Sequence, residues 1–293
     1  MRILTALIVS VTAVAAPTVV AKIPVSPVAA PCAAAAGGKY VWVAEYGQPY
    51  LLKIDPHSNR VVGRTHIGAG SCGLAYGAGS MWIEDTSSST VSRVSVASGK
   101  RLAAVRVGIQ PYDTTFAYGA AWTTAYGGGE LERIDPAKNR VVARWKMTTP
   151  IGVVAAFGSV WAAGIDGVVR VDPATNAVVA KIPVTGGGGW TAASDSAVWT
   201  TTVNGIARID PQTNTVAATI PLAGAPYLGD PDVVAGDVWV PEIRKNAIAV
   251  VDPATNAVVR TVKTGTGPFV VTQIGGEAWV PSWKGRDIWR IKP

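Results

Sequence analysis

Three carboxylates stand in one repeated place in the sequence. Glu45, Asp85 and Glu242 each lie three residues past a tryptophan, Trp42, Trp82 and Trp239, where parallel stretches carry Ala125, Gly164, Thr202 and Ser282. Hard oxygen ligands of this kind, if gathered, could hold Mg²⁺. The same loops carry aromatic residues that the surrounding pattern does not require: Tyr46, Tyr112, Trp190, Tyr227, Phe269 and Trp283. Arg244, Lys245, Lys284 and Arg286 fall among them. Aromatic faces mixed with charge suit an amphipathic, ring-bearing ligand such as a peptide or a sugar. The structural alternative is a wet rim of ordinary loop residues.

Other chemistry finds less support. A general base near neutral pKa is supplied most simply by histidine, and the chain has two, His57 in an Asp-Pro-His-Ser-Asn turn and His66 late in an apolar run. There is no Cys- or His-rich metal spacing, no phosphate-binding Gly-Lys loop and no Gly-x-Ser-x-Gly elbow. The glycines Gly186 to Gly189 precede no helix, so they read as a flexible crossing between repeats.

The elements that position these residues are copies of one unit, represented by Val160 to Val184, VWAAGIDGVVRVDPATNAVVAKIPV. Its apolar runs are short, rich in Val and Ile, and separated by Gly, Pro or Asn, which is the signature of consecutive antiparallel strands. In Asp172-Pro-Ala-Thr-Asn176 the proline presets φ, the aspartate accepts local N–H bonds and the asparagine tolerates positive φ. Asp172 and its equivalents are therefore turn residues, not catalytic ones.

Repeat tryptophans at 42, 82, 122, 161, 199, 239 and 279 step by 38 to 40 residues. Such a period, with about four strands per copy, predicts an all-β, seven-bladed propeller of four-stranded blades. The last copy stops at Pro293, after its third strand, whereas Thr18 to Val25 matches the fourth strand of the reference unit. Residues 18–25 are thus expected to complete the C-terminal blade and close the ring. In such a ring the residues ten before each tryptophan converge with those just past it around one end of the central opening. Those positions carry Cys32, Cys72, Tyr112, Ile151, Gly189 beside Trp190, Gly229 and Phe269.

The repeated VWVA and RIDPATNAVVATIPV-like stretches over residues 18–293 resemble the YVTN and NHL-type bacterial propellers, and particularly the streptogramin B lyase group. The resemblance implies seven blades and a Mg²⁺-assisted opening of a cyclic depsipeptide lactone by elimination, with a histidine base on the central face and acidic residues nearby. Neither His57 nor His66 occupies the start of an innermost strand, where the group's Pro-His-Gly pattern would place that base.

Composition bounds the remainder. Met1-Arg2, the run Ile3 to Ala16 and the small residues Ala13-Val14-Ala15 read as a signal peptide over residues 1–16, leaving 17–293 as the propeller. No run is long enough to span a bilayer, so a secreted, periplasmic or cell-surface monomer is expected. Cys32 and Cys72 hold equivalent places on neighbouring blades; an exported protein could bridge them, or they could be two separate core thiols. The net charge of +7 does not imply nucleic acid. Lys53, Arg93, Arg133, Arg170, Arg208 and Arg290 each stand two residues before a turn, which spreads the charge around the ring as solvated or Asp-paired groups, not one basic face. The leading expectation is an exported propeller that binds a small-molecule, peptide or glycan ligand, or a protein partner, through its central face, without a cofactor. A Mg²⁺-dependent lactone-opening enzyme with a non-standard base and a structural scaffold that binds by its rim are the alternatives.

Overall fold

A computed structural model describes residues 16–25, 28, 30–222 and 227–293. The leader expected over residues 1–16 lies, apart from Ala16, outside the described residues. Seven four-stranded sheets follow one another. The third shows the plan, with antiparallel strands Pro111–Ala117, Ala120–Ala125, Glu130–Asp135 and Arg140–Lys146 running from the axis outward. No helix of the described residues is long and apolar enough to cross a membrane.

Ring closure follows the sequence expectation. Thr18–Pro24 pairs antiparallel with Asp287–Lys292, from Thr18 opposite Lys292 to Pro24 opposite Asp287. Ile23 is thereby buried with Trp279 and Ile288 of its own blade and Val41, Leu52 and Ile54 of the first. One strand borrowed from the chain start seals the last interface.

Each repeat tryptophan is fully buried. Its indole N–H is satisfied locally in most blades, as by the Gly37, Gly77, Ala117 and Ala156 carbonyls at 3.0–3.2 Å. The ring itself packs between blades: Trp82 joins Val91 and Val105 of its own blade to Ala121 and Ile134 of the next. A large apolar body with one satisfied donor is what such an interface requires.

The Asp-Pro turns form as the sequence predicts. Asp172 Oδ1 accepts from the Ala174 N–H at 2.8 Å and Oδ2 from the Thr175 hydroxyl at 2.9 Å, with Asn176 at φ 60°. These bonds, the backbone one foremost, hold the Asp172 carboxyl below its usual range.

Four of the six basic residues before these turns, Arg93, Arg133, Arg170 and Arg290, differ from expectation: they are neither free in solvent nor chiefly paired with aspartate. Arg170 lies 4.6 Å over Trp161 and donates to Pro211 O (2.7 Å) and Asn214 Oδ1 (2.9 Å) in the turn of the next blade. Arg133 reaches Pro173 O and Asn176 Oδ1 in the same way, at 2.8 and 2.7 Å. Arg93 grips Pro136 and Asn139, and Arg290 carries the device across the ring closure to Pro56 and Asn59. A planar guanidinium can stack and donate at once, as an ammonium cannot. The turn thus presents a carbonyl and an amide oxygen to its neighbour's arginine.

Candidate functional site at the central opening

The start of each innermost strand does lie at one end of the axis, and there the structure gathers five of the six aromatic residues singled out by sequence. Tyr112 of the third blade stacks on Trp190 of the fifth, with ring centroids 5.2 Å apart and planes 21° from parallel. Trp190 meets Phe269 of the seventh blade edge-on at 5.2 Å. Phe269 meets Trp283 at 6.0 Å, and Trp283 meets Tyr46 of the first blade at 5.5 Å. Tyr126 extends the chain beyond Tyr112, also at 5.2 Å. Because Trp190 bridges blades that are not neighbours, its ring lies across the opening.

Cys32 and Cys72 are joined by a disulfide, with Cα atoms 5.0 Å apart, linking the first two blades beside this cluster. That separation falls well inside the limit for a bridge, and it decides between the two readings of these cysteines. Beside the bridge, Tyr46, Tyr112, Phe269 and Trp283 wall a pocket of about 110 Å³, together with Gly70, Thr86 and the carboxylate of Glu84.

Glu84 is completely buried. Its Oε1 accepts the Cys72 and Gly73 N–H groups, which the irregular start of that innermost strand leaves without ladder partners. The same slot holds Thr124 and Thr201 in other blades, whose hydroxyls accept from the Asp113 N–H (3.1 Å) and the Trp190 N–H (2.9 Å). Glutamate is longer than threonine, so it leaves a second oxygen over: Glu84 Oε2 is buried with no hydrogen-bond partner. Burial pushes this carboxyl well above the ordinary range, against the pull of its two N–H donors.

Below the aromatic layer the axial channel is acidic. A cavity of about 170 Å³ is lined by Asp113, Asp230, Asp232 and Thr191 among the innermost strands. Asp113 Oδ2 accepts the Val153 N–H of the next blade at 2.7 Å, and Asp232 Oδ2 accepts the Gln273 N–H of its own neighbour at 2.8 Å. These two aspartates therefore stitch blades together. The Asp230 side chain accepts no hydrogen bond among the described residues, although its backbone pairs with the seventh blade through Phe269 O at 2.7 Å and Val271 N at 3.1 Å. Burial raises Asp113 to about 6. Burial, reinforced by the charges of Asp113, Asp232 and Glu84, raises Asp230 well above its usual value. Burial in this narrow channel, with mutual repulsion added at Asp230, disfavours the charged forms of these groups.

The three carboxylates read from sequence as a Mg²⁺ set are not brought together. Asp85 is used up locally, accepting from the Gly68 N–H at 2.8 Å, the Thr90 hydroxyl at 3.2 Å and the Ser92 and Ser71 hydroxyls. Glu242 pairs with Lys245 at 2.7 Å. Glu45 is buried with Oε1 unpartnered, its pKa raised by burial and lowered in part by Arg64. Among the described residues no group of three His, Cys, Asp or Glu side chains is placed to hold a metal ion, so this donor set does not fit Mg²⁺.

Tyr227 also stands apart from the cluster. Its ring lies 4.2 Å under the Arg244 guanidinium, and it borders a separate shallow groove of about 320 Å³ on the far side of Trp190. The glycine crossing beside that groove is pinned, not loose: Gly188 N–H donates to Gly164 O and Gly189 N–H to Thr201 O, each at 2.8 Å. His57 is exposed in its turn, and His66 ends the outer strand Arg60–His66, edge-on to Tyr50. Neither histidine reaches the opening.

Sequence reasoning missed Glu84, Asp113, Asp230 and Asp232 because it compared loop positions. The signal lay within the strands. Two past each repeat tryptophan the other copies carry Ala44, Thr124, Ala163, Thr201, Pro241 and Pro281, so Glu84 is the one charged residue there. Nine before the tryptophan, Asp113 and Asp230 replace Ala33, Gly73, Gly152, Trp190 and Val270. A charge at a strand position facing a crowded axis is costly unless something compensates it.

No family model and no curated protein matches the sequence. Solved structures do match. A catalytically inactive virginiamycin B lyase from Staphylococcus aureus with quinupristin superposes with a TM-score of 0.81 at 14% identity, over 95% of this chain and 100% of that one. A streptogramin B lyase structure gives 0.77 at 15% identity, over 93% and 96% of the two chains. The WD40 β-propeller domain of Doa1 gives 0.73 at 12% identity, over 94% and 96%. At these identities the likeness is one of fold. At that level the resemblance to the streptogramin B lyase group holds: this chain is a seven-bladed propeller with its N-terminal strand closing the last blade.

Proposed function

We propose that this protein is an exported ligand-binding propeller whose ligand seats in the aromatic pocket at the central opening. The observation that carries the reading is the pocket walled by Tyr46, Tyr112, Phe269 and Trp283, with the buried Glu84, one of whose oxygens is unpartnered, among its lining residues. Apolar walls with one convergent polar group are the usual make-up of a small-molecule site. A volume of about 110 Å³ is below the range for a whole drug-sized ligand, roughly 300–1,000 Å³, so the pocket takes a head group and leaves the rest of the ligand on the rim. The disulfide supports an oxidising compartment and hence export.

A lactone-opening enzyme is the second reading, favoured by the fold shared with lyases that act on streptogramins. Against it stand both histidines, which lie away from the opening. Incubating the protein with a streptogramin B lactone, with Mg²⁺ or with chelator, and following ring opening by chromatography separates the two. Ring opening would establish catalysis. No opening, with ligand-dependent quenching of tryptophan fluorescence that Trp283→Leu removes, supports the binding module. Quenching that survives Trp283→Leu places the ligand elsewhere, as on the rim.

A further inference from the structure

The pocket at the opening has a chemical polarity that narrows its ligand. Four aromatic side chains from the first, third and seventh blades wall it, and no lysine or arginine lines it. The Tyr46 and Trp283 rings meet edge to face with planes 79° apart, and Phe269 and Trp283 meet at 69°. Rings at such angles cannot all stack on one planar ligand, and aromatic walls attract a cation. Beside the rings is the fully buried Glu84, fixed through Oε1 by two backbone N–H donors and left with Oε2 unpartnered. Its position is rigid, because Gly73 brings the neighbouring strand so close that an added Cβ would stand 2.7 Å from Glu84 Oε2 and 2.8 Å from the Asp113 Cα. An unpaired carboxylate in such a place is unfavourable, and a cation would relieve it.

We propose that the pocket recognises an organic ammonium head group, with Tyr46, Phe269 and Trp283 as the cage and Glu84 as the counter-charge. The proposal rests on the central-face reading above. Burial raises the Glu84 pKa, and a cation beside the carboxyl would favour its charged form and shed a proton to solvent.

Titration calorimetry with choline and with its uncharged isostere 3,3-dimethylbutan-1-ol, at neutral pH in two buffers of different ionisation enthalpy, tests this. The expected result is choline binding at least about tenfold tighter than the isostere, with proton release that disappears in Glu84→Gln. That variant keeps an oxygen for the Cys72 and Gly73 N–H groups, so its fold should hold; an unchanged circular dichroism melt checks this. Equal binding of both probes, lost together in Trp283→Leu, would overturn the cation assignment and leave the central-face reading standing. Choline binding indifferent to both Glu84→Gln and Trp283→Leu would overturn both. Absence of binding by either probe up to millimolar concentration would overturn the ammonium proposal, leaving the central-face reading to its own fluorescence test.

Discussion

Replacing Arg170 with methionine should unlatch the fourth blade from the fifth at one defined point. The side chain donates through Nη1 to Pro211 O at 2.7 Å and Asn214 Oδ1 at 2.9 Å, and through Nε to Ser159 Oγ at 2.8 Å, while its plane lies 4.6 Å over Trp161. A hydrogen bond from a charged donor contributes about 1.5–3 kcal/mol net. The guanidinium is half-buried, so about 1 kcal/mol for each of the two inter-blade bonds is the better figure after solvent screening. Loss of the contact with Trp161 adds about 0.5–1 kcal/mol. Methionine keeps the apolar stem over the indole, so the sum, about 3 kcal/mol, is chiefly the latch. At roughly 2 °C per kcal/mol for a domain of this size, Tm should fall by about 6 °C by scanning calorimetry. Arg170→Lys should recover less than half, because an ammonium cannot donate as a fork while stacking. The exposed Arg101 supplies the control: if Arg170→Met shifts Tm no more than Arg101→Met does, the arginine latch does not hold the ring together. A double-mutant cycle with Asn214→Ala should show coupling of about 1 kcal/mol.

Reduction of the Cys32–Cys72 bridge, which closes a separation of 40 residues, should lower stability by about 4 kcal/mol on the chain-entropy estimate; an unchanged denaturant midpoint under reducing conditions would count against it. The pH profile should slope in an unusual direction. Glu84, Asp113, Asp230 and Asp232 all have folded pKa values raised above their unfolded ones. The folded state therefore binds more protons than the unfolded state above about pH 4, and the stability these groups contribute is lost as pH rises through the folded values, near 6 for Asp113. Acidification from neutral pH toward about 5 should stabilise the protein, until the turn carboxylates Asp55, Asp172, Asp210 and Asp252, whose pKa values are lowered, begin to protonate and reverse the trend. Asp230→Asn should flatten the upper limb of a denaturant-midpoint series, and a profile that rises steadily with pH would contradict the acidic-channel account. Gly73→Ala should cost about 1–3 kcal/mol by overpacking, because its Cβ would meet the Asp113 Cα and the Thr114 N at 2.8 and 2.9 Å; a neutral melt would show that the strands can part there.

The sequence alone determined the ring. A spacing of 38 to 40 residues between tryptophans, and a first strand that supplies what the last repeat lacks, leave one closed arrangement, because strand periodicity and turn chemistry are local properties written residue by residue. The Asp172-Pro-Ala-Thr-Asn176 turn formed as read for the same reason: its bonds span three residues or fewer. The aromatic set at the opening was legible too, since Tyr46, Tyr112, Trp190, Phe269 and Trp283 break a pattern whose geometry was already known. What only the tertiary structure decided is the fate of charge. Asp85, Glu45 and Glu242 look equivalent in a repeat alignment, yet one is saturated by local donors, one is half-unpaired and one is bound to a lysine. Arg170 reads as a surface cation and is in fact a clamp on residues more than 40 positions away. Glu84 passes as a strand residue until the fold buries it, with one oxygen unpartnered, in the lining of a pocket walled by four rings from three other blades. Solvation and partners are set by what lies across the blade interface and the axis, and that information exists only once the chain has closed on itself.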